Sequence, residues 1–115
     1  MNDLEAVRQG VANFAKERDW EQFHSPKNLA MALSVEVAEL MEHFQWLSEA
    51  QSSELDEITL AAVADEIADV QVYLVRIADT LGVDILAAVK TKMEKNAQKY
   101  PADKVRGSAK KYNAY

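Results

Sequence analysis

The sequence predicts an all-α fold, a bundle of four helices, on three observations. Only three glycines and two prolines occur in 115 residues, so few positions interrupt a helix. Apolar residues recur at spacings of three and four through most of the chain, the period of an amphipathic helix rather than the alternation of a strand. Capping and turn-forming residues gather at a few places, around Ser25-Pro26, Ser48 to Ser53, Gly82 to Asp84 and Tyr100-Pro101. A chain of this length is expected to form one domain with a modest core. That domain is taken as residues 1–115, with an irregular basic tail from about 101 to 115.

The first helix is expected from about Asp3 to Arg18, with Leu4, Val7, Val11 and Phe14 on one side. A loop, Asp19-Trp20-Glu21-Gln22-Phe23-His24, leads to Ser25-Pro26, an N-cap followed by proline at the first helical position. The second helix should run from about Pro26 to Leu47. At about 100° per residue, Leu29, Leu33, Val37, Leu40, Phe44 and Leu47 form its apolar stripe. Glu36 falls at the edge of that stripe, and Glu39 and His43 lie beside it. A carboxylate among leucines costs several kcal/mol unless something pairs with it.

Ser48 to Ser53 is a polar connection, and Ser52, Ser53 or Asp56 can cap the next helix. That third helix, from about Leu55 to Leu81, is apolar nearly all round. Val63, Ile67, Val70, Leu74, Ile77 and Leu81 cover one side, and Ala61, Ala64, Ala68, Val72 and Val75 much of the rest. Such a helix is buried, and here it is expected to face a second subunit as well. Its polar residues collect in one strip, Asp65, Glu66, Asp69, Tyr73 and Arg76, which must then face a cavity or a metal. Gly82 stops this helix and Asp84 caps the fourth. The fourth runs from about Ile85 to Lys99 and is ended by Tyr100-Pro101. One side of it carries Ile85, Val89, Lys92, Asn96, Lys99 and Tyr100, an apolar seam that turns basic toward its C-terminus.

Charge divides the chain. Residues 1–89 hold 17 acids against 5 bases, and residues 90–115 hold 2 acids against 8 bases. An acidic body argues against binding long nucleic acid through its phosphates, while the basic end suits a small anion. No cysteine is present, which excludes disulfides, thiolate metal sites and cysteine nucleophiles. The N-terminal Met1-Asn2-Asp3-Leu4-Glu5 has no signal-peptide pattern, and no apolar run approaches the roughly 18 residues of a membrane span. A cytoplasmic location, with no membrane partner, is the expectation.

The chemistry centres on two carboxylate pairs, Glu36-Val-Ala-Glu39 and Glu66-Ile-Ala-Asp69. A spacing of three places each pair on one helical face, one turn apart. One such pair alone reads most simply as a solvated face. Two on adjacent helices, one bordering a leucine stripe and one on a helix with little other polar surface, suggest an all-oxygen metal cage. A di-iron bundle draws a Glu-x-x-His motif from each of two helices, whereas here that spacing occurs only once, at Glu21 to His24 in the expected loop, and not at His43. Carboxylates alone favour Mg²⁺, with Mn²⁺ as the other suitable ion. Mg²⁺ is usually shared with substrate phosphates. With Lys92 and Lys99 near the basic end, a nucleotide or another phosphate ester is the implied ligand.

These residues carry a resemblance. Glu36-x-x-Glu39 followed by Glu66-x-x-Asp69 resembles the signature of the all-α MazG-type nucleoside triphosphate pyrophosphohydrolases. Arg18-Asp-Trp-Glu-Gln-Phe-His24, Asn28-Leu-Ala-Met-Ala-Leu33, Glu36-Val-Ala-Glu-Leu40 and Phe44-Gln-Trp46 are similar to the dCTP pyrophosphatase branch. Asp65-Glu-Ile-Ala-Asp-Val70, Tyr73 and Lys92-Met-Glu-Lys-Asn96 through Tyr100-Pro101 continue it, so that roughly residues 4–112 are covered. The resemblance implies Mg²⁺-dependent hydrolysis of a (deoxy)nucleoside triphosphate to the monophosphate and pyrophosphate, by water attacking the α-phosphorus. It implies metal ligands at Glu36, Glu39, Glu66 and Asp69, with Glu39 the choice for a residue doubling as base. It implies aromatic enclosure of the base by Trp20, Trp46 and Tyr73 and nucleotide contacts from Lys92 and Asn96. Phosphate contacts follow from Lys99 and Tyr100, and His24 beside Lys27 is a further candidate. A homodimer or homotetramer with sites between subunits, and a role in cleansing the nucleotide pool, are also family expectations.

At one position the chain departs from the pattern. Animal members of the branch carry a first-helix histidine where this chain has Val11, so the base stays open between cytosine and a modified or non-standard one. Plainer readings stand beside each assignment. Trp20 and Trp46 suit a core or an interface, His24 suits a loop cap, His43 suits a partner of Glu39, and Arg76 suits neutralisation of its own helix's acidic strip. A non-catalytic helical binding module and a di-metal redox bundle are the alternatives from other classes. Stability indifferent to Mg²⁺ would mark the first, and colour the second.

Overall fold

A computed structural model of the chain describes residues 3–109. These residues form six α-helices and one 3₁₀ turn, and no strand occurs among them. The helices are α1 Leu4–Glu17, α2 Pro26–Glu42, α3 Glu49–Ser52, α4 Glu57–Leu81, α5 Ile85–Lys99 and α6 Ala102–Val105, with the 3₁₀ turn at Glu21–Phe23. The all-α class agrees with the sequence, but the expected count of four becomes six, because one connection and the start of the tail each wind into a single helical turn. The chain packs into two compact units that divide between Gly82 and Val83. No helix among the described residues is long and apolar enough to cross a membrane.

Local chemistry explains most boundaries. Asp3 caps α1, accepting a hydrogen bond from the Ala6 amide. Ser25 caps α2 through the Asn28 amide at 3.1 Å, with Pro26 at the first helical position. Asp56, one of three candidates, caps α4 through the Thr59 amide at 2.7 Å. Gly82 ends α4 in the left-handed region, φ 68°, which glycine adopts without a Cβ penalty. Asp84 then caps α5 through the Ala87 amide at 3.0 Å.

Three expectations change. α2 stops at Glu42 rather than Leu47, because the amides of Phe44 and Gln45 converge on the single carbonyl of Met41 at 2.9 and 3.0 Å. That convergence tightens the last turn and ends the regular ladder. The polar connection after Ser48 contains a helical turn. Ser48 and Gln51 form a capping box that winds α3. Part of the tail is also ordered into α6, where the amides of Lys104 and Val105 bond to the Pro101 carbonyl. The basic Lys110-Lys111-Tyr112 lies outside the described residues.

Within the first unit, α1 and α2 both pack on α4. Ala15 of α1, Leu29 of α2 and Val63, Val75 and Ala78 of α4 are buried there, and so is Arg76. The apolar stripe of α2 is only partly covered: Leu29 is buried, Leu33, Leu40 and Phe44 are half-buried, and Val37 and Leu47 are exposed. On α4 the side read from the sequence splits in two. Val63 is buried and Val70 and Ile77 are half-buried, but Ile67, Leu74 and Leu81 face outward. With Leu60 these three make a stripe at a spacing of seven, each between 41% and 57% exposed.

Candidate functional site

The pairing of α2 with α4 brings acidic side chains together. Glu36 and Glu39 sit one turn apart on α2, and Glu66 reaches them from α4. Carboxylate oxygens of all three lie within 4.8 Å of one another, and all three residues are half-buried. Glu36 Oε2 and Glu66 Oε2 are sealed from solvent and have no hydrogen-bond partner. Buried carboxylates of like charge face each other stably only with a proton or a cation between them. The electrostatics agree. Burial, then the Glu39 carboxylate in hydrogen-bonding reach, then Glu66 and the charge of Asp69 push the Glu36 carboxyl up to about 7.

The donor set fits a hard divalent cation. It offers only oxygens, from two helices held rigidly together, and two of those oxygens are otherwise orphaned. No histidine or cysteine belongs to the cluster. Asp69, the fourth expected ligand, is exposed and stands outside the close trio, though near enough for its charge to act on Glu36.

The remaining candidates occupy distinct settings. Trp20 packs edge to face on Phe14, ring centres 5.7 Å apart, and the Arg18 guanidinium lies 3.5 Å from the centre of the Phe14 ring. Trp46 stands 87% exposed in the turns after α2. Tyr73 is half-buried on α4, two turns beyond Glu66, and Lys27 is exposed in the first turn of α2. Lys92, Asn96 and Lys99 lie on α5 and Tyr100 at its C-cap, all in the second unit. His43 lines an open cavity of about 440 Å³ with Leu47, Gln51, Glu54, Leu55, Asp56 and Thr59.

His24 and Arg76 have partners that the sequence reading did not assign. Arg76 does not neutralise the acidic strip of α4. Its Nε donates to His24 Nδ1 at 3.0 Å, and its Nη1 lies 3.4 Å from Asp79 Oδ2. The other Asp79 oxygen accepts from Arg8 of α1 at 3.1 Å. An arginine inside a helix that is apolar nearly all round was the available signal, and its partner 52 residues away in sequence was not legible from spacing.

Known proteins are similar to this chain in sequence and in fold. The chain matches the MazG-like family over residues 31–114. It is 49% identical over 111 residues to a dCTP pyrophosphatase 1 of Rattus norvegicus and 45% identical over 111 residues to that of Homo sapiens. Each match takes in 95% of this chain and 65% of the relative, so the chain spans just under two thirds of these relatives' length. Its fold is similar to the crystal structure of a pyrophosphatase from Archaeoglobus fulgidus DSM 4304. That likeness has a TM-score of 0.80 and 44% identity, covering 84% of this chain and 91% of that one.

Proposed function

Because the chain belongs to the MazG-like family, we propose that its acidic cluster serves the hydrolysis of a (deoxy)nucleoside triphosphate to the monophosphate and pyrophosphate. dCTP, or a modified or non-standard nucleotide, is the substrate class. The observation that carries this reading is the pair of orphaned oxygens, Glu36 Oε2 and Glu66 Oε2, buried in a cluster of carboxylates. Relatives named dCTP pyrophosphatase, nearly half identical across this chain, supply the reaction class.

Glu36, Glu39 and Glu66 would hold the cation, Mg²⁺ or Mn²⁺, with Asp69 as the fourth ligand. A bound cation supplies charge neutralisation for the triphosphate. Glu39 orients a water and accepts one of its protons as the water oxygen bonds to the α-phosphorus. The α–β anhydride bond breaks, and pyrophosphate leaves with the electron pair. Trp20, Trp46 and Tyr73 enclose the base, and Lys27 and His24 touch phosphate; Lys92, Asn96, Lys99 and Tyr100, on the second unit, are the remaining candidates for nucleotide contact by family resemblance. An indole as exposed as that of Trp46 suits a stacking plate.

The reading includes a homodimer or homotetramer. The outward stripe Leu60, Ile67, Leu74 and Leu81 has the period of a helix–helix seam, and a second copy of α4 would cover it. The test is a panel of (deoxy)nucleoside triphosphates with and without Mg²⁺, assaying pyrophosphate and orthophosphate separately. Mg²⁺-dependent pyrophosphate release that is lost in Glu39→Gln is expected. Orthophosphate alone, or no turnover together with no thermal shift from Mg²⁺ and nucleotide, would contradict the reading.

A further inference from the structure

The best-connected polar cluster outside the acidic site runs from Glu5 through Arg8, Asp79 and Arg76 to His24. It ties α1, α4 and the segment before α2 together. At its end, Arg76 Nε–H donates to His24 Nδ1 at 3.0 Å. A guanidinium has donors only and stays charged. Two facing N–H groups cannot bond, so Nδ1 must present its lone pair, and a neutral His24 ring carries its proton on Nε2. Arg76 is itself buried and anchored by Asp79, which Arg8 braces from α1. The backbone that carries the ring is held as well. The His24 amide donates to the Glu21 carbonyl at 3.1 Å, and the Asn28 side chain holds the Phe23 carbonyl at 3.1 Å.

We propose that Arg76 is a positioning residue: it locks His24 as the Nε2–H tautomer, so that His24 meets the nucleotide as a neutral hydrogen-bond donor. The proposal rests on the functional reading above. The charges facing the ring are Arg76 from α4 and Glu21 from its own turn. Burial and Arg76 hold the His24 pKa below its ordinary value, with Glu21 opposing, which favours the uncharged ring near neutral pH. A histidine set this way makes a directional contact and adds no positive charge.

Long-range ¹H–¹⁵N correlation spectra of the full chain report the tautomer directly. The wild type is expected to show a single Nε2–H form at neutral pH. Arg76→Met is expected to give mixed tautomers and a KM for the triphosphate raised about three- to tenfold, the worth of one hydrogen bond, with kcat little changed. On a His24→Ala background, Arg76→Met should add no further rise, because the two residues act as one unit. A Nδ1–H or mixed ring in the wild type overturns the proposal. So does an unchanged KM in Arg76→Met, or an equal KM effect with and without His24. Should Arg76→Met not fold, the wild-type spectrum and Asp79→Asn, which loosens Arg76 without emptying its site, decide the matter. A wild type that turns over no triphosphate defeats the enzyme reading, whereas turnover with the wrong tautomer defeats only this proposal.

Discussion

Without metal, the acidic cluster should destabilise the fold at neutral pH, and Glu36→Gln should relieve that. The Glu36 carboxyl is lifted from 4.5 to about 7, chiefly by burial. A group whose folded pKa lies above its unfolded value stabilises the fold at low pH and loses that contribution as pH rises. Below 4.5 Glu36 is neutral in both states. Between 4.5 and about 7 the unfolded chain ionises first, so stability falls across this window and stays low above it. A shift of this size has an upper bound of about 3 kcal/mol, and roughly 1–2 kcal/mol is expected once partial solvent access is allowed for. For a domain of this size that is about 4–8 °C in Tm. The assay is thermal unfolding in EDTA from pH 5 to 8, at fixed protein concentration, for wild type and Glu36→Gln. The difference between them isolates Glu36 from His24, whose depressed pKa acts with the opposite sign, its contribution being lost as pH falls. The variant should be the more stable at pH 7.5 and should lose its advantage toward pH 5. Added Mg²⁺ should raise the wild type and leave the variant nearly unmoved. A difference that does not vary with pH, or equal stabilisation of both proteins by Mg²⁺, would refute the reasoning.

Glu66→Gln removes the only member of the close trio on α4, and kcat for pyrophosphate release should fall at least about a hundredfold with the helical content unchanged by circular dichroism. Trp46→Ala should raise KM about tenfold or more, the worth of one stacked base, while stability stays within about 0.5 kcal/mol because the indole is so exposed; denaturant titration and steady-state kinetics check both halves. Leu74→Glu places a charge in the middle of the outward stripe on α4, and light scattering should report a smaller assembly than for the wild type. An unchanged mass would locate the subunit contact elsewhere.

The legible parts of the structure were the local ones. Ser25-Pro26, Asp56, Gly82 and Asp84 act within one turn of themselves, so their caps follow from sequence. The Glu36/Glu39 and Glu66/Asp69 spacings gave the acidic face because helical periodicity is local too, and the position of Glu36 beside leucines pointed to its burial. What depended on distant partners was not legible. The sequence shows α4 as apolar nearly all round, but only packing against α1 and α2 decides that Val63 is buried and that Ile67, Leu74 and Leu81 are left outward. Arg76 read as a partner of the strip Asp65, Glu66 and Asp69, whereas His24 and Asp79, an acid outside that strip, hold it. The end of α2 at Glu42 turns on a shared carbonyl, a detail of geometry that composition does not carry. Asp69 has the expected spacing yet remains exposed and outside the close trio, since the turn of α4 that meets α2 is set by packing and not by spacing.

The central claim is attack on the α-phosphorus at the carboxylate cluster. Hydrolysis of dCTP in ¹⁸O-labelled water with Mg²⁺, followed by mass spectrometry of the products, tests it most directly. One ¹⁸O in the nucleoside monophosphate and none in pyrophosphate is the predicted result. Label in pyrophosphate would place the attack on the β-phosphorus, and label in orthophosphate with a nucleoside diphosphate would place it on the γ-phosphorus; either would contradict the account.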